Sequence, residues 1–212
     1  MRSKSRSTPP ADVRQLFQRK ARLVNRASRR GVRKGWAARD AAITMYLELV
    51  TAVKEEEPVL ARLLELYAHD LSDVAKLRIG ADGRFGYDWL PRYWADAGRH
   101  PYLMWVDGEL AGFVLVQQGS QVTQEADVWD VAEFFVLRRH RRQSVGMRAA
   151  HEVWRRHAGR WEVRVMERNP AALAFWQRAV DAYVGARVEP ELVEVAGKRW
   201  HVFRLYSGVL SN

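Results

Sequence analysis

"VLRRHRRQSVGMRAAHEVW", residues 136–154, decides how the rest of the chain is read. An apolar segment runs into four arginines and a histidine between Arg138 and Arg142. It then passes small residues at Ser144 and Gly146 and goes on with Gly146, Ala149, Ala150, Val153, Trp154 and His157 on one helical stripe. A strand thus turns into a helix here. The first N–H groups of such a helix lack intrahelical partners, and that end carries about +0.5 of partial charge. Ser144 and Gly146 let a ligand come close to the backbone, and Arg141, Arg142 and Arg148 surround the spot, so the junction suits a diphosphate. Merely solvated arginines would give the same pattern.

Upstream, "DVWDVAEFFVL" (127–137) is a strand, and "PYLMWVDGELAGFVLVQQ" (101–118) is two apolar runs about Asp107-Gly108, a hairpin signal. Together they form an antiparallel set. Residues 80–100 carry glycines and then an aromatic cluster, Trp89, Tyr93 and Trp94, read as a short helix. "MYLELVTAV" (45–53) suits a first strand. "EEEP" (55–58) then opens a helix with Leu60, Leu63, Leu64, Tyr67, Ala68 and Leu71 at three and four spacing.

Downstream, Gly159 is read as the end of the helix, and "WEVRVM" (161–166) is a strand. "RNPAALAFWQRAVDAY" (168–183) is a helix capped by Asn169, with Pro170 at its first position. Strands near 187–195 and 199–206 flank an Ala196-Gly197 turn. The fold class expected is α/β of the α+β kind: a mixed, mostly antiparallel sheet of six to seven strands, flanked by about four helices, with one parallel crossover.

The length of 212 residues suits one domain. With no cysteine, disulfides, thiolate metal sites and a cysteine nucleophile are excluded. No histidine pair has metal-ligand spacing, no apolar run spans a bilayer, and a cytoplasmic location without membrane partners is expected. The net charge of +10 is not spread evenly: residues 1–40 hold 13 of the 35 basic side chains and 2 of the 25 acids, leaving 22 against 23 for the rest. That leader has too few large apolar residues to offset its ordering entropy. It is read either as a polybasic arm for nucleic acid or as a non-native, mis-started extension ahead of Met45, with the folded domain at 44–206.

The junction resembles motif A of the GNAT superfamily, the acyl-CoA-dependent N-acetyltransferases: Val136 ends the strand, Arg141 follows five residues on, and Ser144 and Gly146 stand at the glycine positions. "VRVMERNPAALAFWQRAV" (163–180) is similar to the companion motif B. The resemblance implies the GNAT fold, acetyl-CoA as co-substrate and no metal. It implies CoA contacts at Phe135, Val136, Arg141, Arg142, Gln143, Ser144, Val145, Gly146, Met147 and Arg148, and at Asn169, Ala172 and Phe175 beside the pantetheine. A backbone N–H near Phe135 or Val136 would hold the oxyanion. Two residues depart from the pattern. Ser144 replaces the first glycine and is read as a helix N-cap, and Trp176 stands where many members carry a tyrosine that protonates the leaving thiolate. An indole N–H lacks the acidity for that part, and Tyr183 is read as core.

An alkyl amine of pKa about 10.4 is roughly 0.04% neutral at pH 7, a handicap of about 4.6 kcal/mol that a general base must offset in part. Glu133, which interrupts the apolar run before Val136, is the first candidate, and Asp130 the second. Asp88, Trp89, Tyr93 and Trp94 offer an aromatic and acidic wall for a cationic acceptor, or else a core under a loop. The expected activity is acetyl transfer to a primary amine by direct attack in a ternary complex. The alternatives are a catalytically silent acyl-CoA-binding or nucleic-acid-binding regulatory module using the basic arm, and an RNA-directed acetyltransferase. A homodimer is left open.

Overall fold

The computed structural model describes residues 45–208; the basic leader and the readings that fall on it lie outside the described residues. β1 (Leu47–Thr51), β2 (Arg99–Val106), β3 (Glu109–Gln118) and β4 (Trp129–Val136) pair antiparallel in sequence order. β4 meets β5 (Gly159–Met166) in parallel. β7 (Lys198–Ser207) lies antiparallel between β5 and β6 (Glu191–Val195), so the order is β1-β2-β3-β4-β5-β7-β6. The seven strands and single parallel junction agree with the expectation. Among the described residues the helices are α1 (Glu57–Ala75), α2 (Val145–Arg156) and α3 (Pro170–Val184), with the short helix of the aromatic cluster appearing as a 3-10 turn, Leu90–Tyr93.

Each helix forms where an apolar stripe finds a sheet face. α1 buries Leu60, Leu63, Leu64 and Ala68 on the face that presents Leu103, Phe113, Leu115 and Phe135. α2 and α3 cover the opposite face, where Ala149, Val153, Trp154, Trp176 and Val180 meet Val114, Val116, Val163 and Phe203. α2 ends at Arg156, before Gly159, and His157 leaves it in an extended conformation. Its ring then packs 4.4 Å from Trp129 and 4.5 Å from His100. β6 starts later than expected, because Asp181 of α3 holds the chain at Val188 through its backbone N–H, 2.9 Å away.

Two irregularities open the sheet at its centre. β4 and β5 pair only at Trp129 with Trp161 and Asp130 with Glu162, then diverge. In the β3–β4 ladder Leu115 faces Glu133 while Val116 faces Val131, so Ala132 is an extra residue, a bulge that bends and twists its strand. Past the bulge β3 stays close: a Cβ at Gly112 would lie 2.0 Å from the Phe135 carbonyl oxygen. Only glycine tolerates that approach.

Candidate active site

Divergence of β4 from β5 leaves a cleft of about 440 Å³, walled by Ala132 to Phe134, by Arg164 to Met166, by Tyr67 of α1, by Trp176 of α3 and by Lys198 and Trp200 of β7. Glu133 lies in it. Burial raises its carboxyl pKa from 4.5 to about 7, with Tyr67, Tyr87 and Arg164 pulling the other way and Asp130 adding to the rise. A carboxyl poised near 7 suits general-base work. Tyr67 and Tyr87, which face it, are held protonated by their own burial and then by the Glu133 charge. Tyr93 is next in line, pushed up to about 12 by burial.

Asp130, the second candidate, is turned elsewhere. Its side chain is fully buried, and its oxygens accept from Arg164 Nη2 at 2.6 Å, Arg164 Nε at 3.2 Å and Gln117 Nε2 at 3.0 Å. The chain of bonds continues, since Arg99 Nη1 donates to Gln117 Oε1 at 2.9 Å and Arg99 Nε to Asp96 at 3.2 Å. Arg99, Gln117, Asp130 and Arg164 stand on β2, β3, β4 and β5, one residue per strand. Asp130 therefore anchors this ladder and does not line the cleft, leaving Glu133 as the carboxylate that does.

The turn after β4 keeps its donors open. The first helical amide of α2 with a backbone acceptor is that of Arg148, on Ser144 O at 3.0 Å; none is found for Val145, Gly146 or Met147 among the described residues. Residues 141–144 are exposed. Arg142 and Ser144 both take left-handed backbone, φ 61° and 60°, and the Ser144 side chain makes no capping bond. Ser144 is thus no side-chain N-cap: it fills a glycine position whose requirement is conformational. Gly146 also has a packing reason to be small. A Cβ there would lie 3.1 Å from the Phe175 ring, so its small size admits a neighbouring helix.

The arginines divide by partner. Arg141 donates to Val136 O at 2.7 Å and to Asp70 of α1 at 2.6 Å, and Arg138 to the same carboxylate at 2.7 Å. Arg148 donates to Met45 O at 2.8 Å, and the Gln143 side-chain amide to Arg139 O at 2.9 Å. These residues shape the turn and leave Arg142 as the one without a hydrogen bond or ion pair among the described residues of the turn. Leu137 N–H donates to Ala111 O of β3, and N–H directions alternate in an antiparallel ladder. The Phe135 amide accordingly points to β3, and the Val136 amide to the open side. Asn169 caps α3 as expected, accepting from Ala172 N–H at 3.0 Å, and Phe175 packs 5.7 Å from Phe134.

The residues expected to form an acceptor wall have other partners. Trp89 lies under Arg92 (5.0 Å), Tyr93 under Arg99 (5.2 Å) and Trp94 under Lys54 (5.0 Å), with Trp94 Nε1 donating to Ala52 O. Each of these three rings already carries one of the chain's own cations. Asp88 alone of the four lines a second cavity, about 750 Å³, between α1 and residues 78–91, where carboxylates and guanidinium groups are mixed. Glu65 of α1 straps that segment by accepting from Phe85 N–H at 2.9 Å and Gly86 N–H at 3.1 Å. Tyr67, Tyr87, Arg164 and Trp200 were missed from sequence. Tyr67 carried a signal, as a polar-tipped residue on an apolar helical stripe, while the other three read as ordinary strand or loop positions.

Among the described residues no group of acidic and histidine side chains could hold a metal, and no helix is long and apolar enough to cross a membrane. Compared with known proteins, residues 61–181 match the acetyltransferase (GNAT) family. No curated protein matches the sequence. Similar solved structures include an acetyltransferase from Thermus thermophilus (18% identity, TM-score 0.56, covering 76% of this chain and 96% of that one). Another is the aminoglycoside acetyltransferase AAC(6')-Ib in complex with coenzyme A (12%, TM-score 0.57, 76% and 95%). A third is a chimera of the spermidine N-acetyltransferase SpeG from Vibrio cholerae and hSSAT (10%, TM-score 0.50, 76% and 95%). At these identities they share the fold.

Proposed function

The chain belongs to the acetyltransferase (GNAT) family and is an acyltransferase, and on that premise we propose that it moves an acetyl group from acetyl-CoA to a primary amine by direct attack in a ternary complex. The observation that carries this reading is Glu133, a carboxyl poised near pH 7 in the cleft that opens where β4 leaves β5. The fit to the co-substrate is chemical: three N–H groups without a backbone acceptor among the described residues, and the unpartnered guanidinium of Arg142 two residues before Ser144, are donors of the kind that hold a diphosphate. Val145, Gly146, Met147 and Arg142 would hold it, with Asn169, Ala172 and Phe175 beside the pantetheine. Acetyl-CoA supplies the activated carbonyl.

Glu133 takes the proton that the ammonium must lose, and its raised pKa narrows the uphill gap of that transfer from about 6 to about 3.4 pKa units. The Val136 N–H aims into the opening and is the donor suited to a developing oxyanion. Trp176, 6% exposed and packed 4.9 Å from Phe134, donates no useful proton, and the tyrosines that line Glu133 come from α1 and the segment before β2 instead.

Free thiol released from acetyl-CoA with a panel of amines tests the reading. Glu133→Gln is expected to lower kcat by roughly 10²–10⁴-fold and to remove the limb of the pH profile near 7, with CoA affinity unchanged. An unaltered profile would take the base role away from Glu133.

A further inference from the structure

We propose that the acceptor is a primary amine that also bears a carboxylate, with the carboxylate lying against Arg164, Lys198 and Arg78 and the amine meeting Glu133; this rests on the acetyl-transfer reading above. All four residues line the one cleft. Asp130 takes the Nε and Nη2 of Arg164 but leaves Nη1 without an acceptor, and the Arg164 side chain is 18% exposed. Trp200 lies 5.4 Å from the guanidinium carbon and, with Asp130, fixes the plane in which that last nitrogen points. A guanidinium held on two sides with one nitrogen spare is organised for an anion. Lys198 enters from the same side of the sheet, two residues before Trp200 on β7. Neither Lys198 nor Arg78 is in an ion pair among the described residues, and both are exposed at the rim.

The charge count points the same way. With Arg164 matched by Asp130, the cleft lining holds Arg78 and Lys198 against Glu133 alone. An incoming ammonium neutralises Glu133 and leaves two cations, which an acceptor carboxylate would satisfy and a second ammonium would oppose. The polyamine and aminoglycoside named for the two related structures are therefore the wrong charge type for this cleft.

Steady-state kinetics on matched acceptors decide it: a series of amino acids, their carboxamides, and spermidine. The carboxylates are expected to show at least about tenfold higher kcat/KM than the carboxamides, although their amines are the more basic and less often neutral, because only the carboxylate makes hydrogen bonds between opposite charges with these side chains. Lys198→Met and Arg78→Met should each cut that ratio severalfold, chiefly through KM for the carboxylate, and Lys198→Arg should restore it. Equal or better turnover of carboxamides or spermidine overturns the inference and leaves the acetyltransferase reading standing. No thiol release with any amine overturns both.

Discussion

Glu133 works against the stability of the fold whenever it is ionised, because burial raises its pKa from 4.5 to about 7. The native state then binds the additional proton between those values, so the contribution is fully present below pH 4.5 and is lost as pH rises through 7. Glu133→Gln should accordingly stabilise the protein at pH 8 by on the order of 3 kcal/mol and give no gain at pH 4, checked by urea unfolding at both. A gain equal at both pH values would show that the carboxyl ionises freely in the fold. Ser144 is a second strained residue, its φ of 60° costing a non-glycine side chain roughly 1–2 kcal/mol. Ser144→Gly should raise the melting temperature by about 2–4 °C and hold or tighten CoA binding, read by thermal unfolding with and without CoA. Glu133 was legible in sequence because a carboxylate interrupting an apolar strand is costly without a purpose. Its tyrosine partners were not, since Tyr67 and Tyr87 reach it from other elements of the fold. Serine at position 144 misled in the opposite way, because its capping propensity hides a purely conformational demand.

Between elements, the ladder from Arg99 through Gln117 and Asp130 to Arg164 ties four strands together on the α1 face, just where β4 and β5 part. Its weak point is Asp130, the ion-pair partner of Arg164 among the described residues. Asp130→Ala should destabilise by about 3–5 kcal/mol in urea unfolding, because a largely buried guanidinium and a buried amide lose their acceptor together. Asp130→Asn keeps some of the bonds and removes the negative charge that helps raise the Glu133 pKa, so the limb of the pH profile should move to lower pH. A limb that moved upward would mean the ladder acts on Glu133 by another route. Strand and helix positions were readable from period two and period 3.6, as in Leu60, Leu63 and Leu64. The parting of β4 from β5 was not, because the pattern within a strand says nothing of where its neighbour leaves. The helix end at Arg156 was misjudged for a similar reason: His157 is drawn out by His100 and Trp129, which are distant in sequence.

At the scale of the molecule, element order and the single parallel junction followed from the sequence because each connection left few ways to lay the next strand. The acceptor side did not follow, since the same tryptophans serve a cation-binding wall or a core, and only the positions of Lys54, Arg92 and Arg99 distinguish the two. The sheet consists of two leaves, β1 to β4 and β5 with β7 and β6, joined at two residue pairs. The inner edge of the first leaf is therefore a half-used strand, bonded to β3 on one side and bare on the other. Hydrogen–deuterium exchange along β4 should be a sawtooth, slow at Phe135 and Leu137 and fast at Phe134 and Val136. Filling the opening with acetyl-CoA should flatten the sawtooth by slowing the fast pair. A strand equally slow at all four positions without it would mean the leaves spend their time closed.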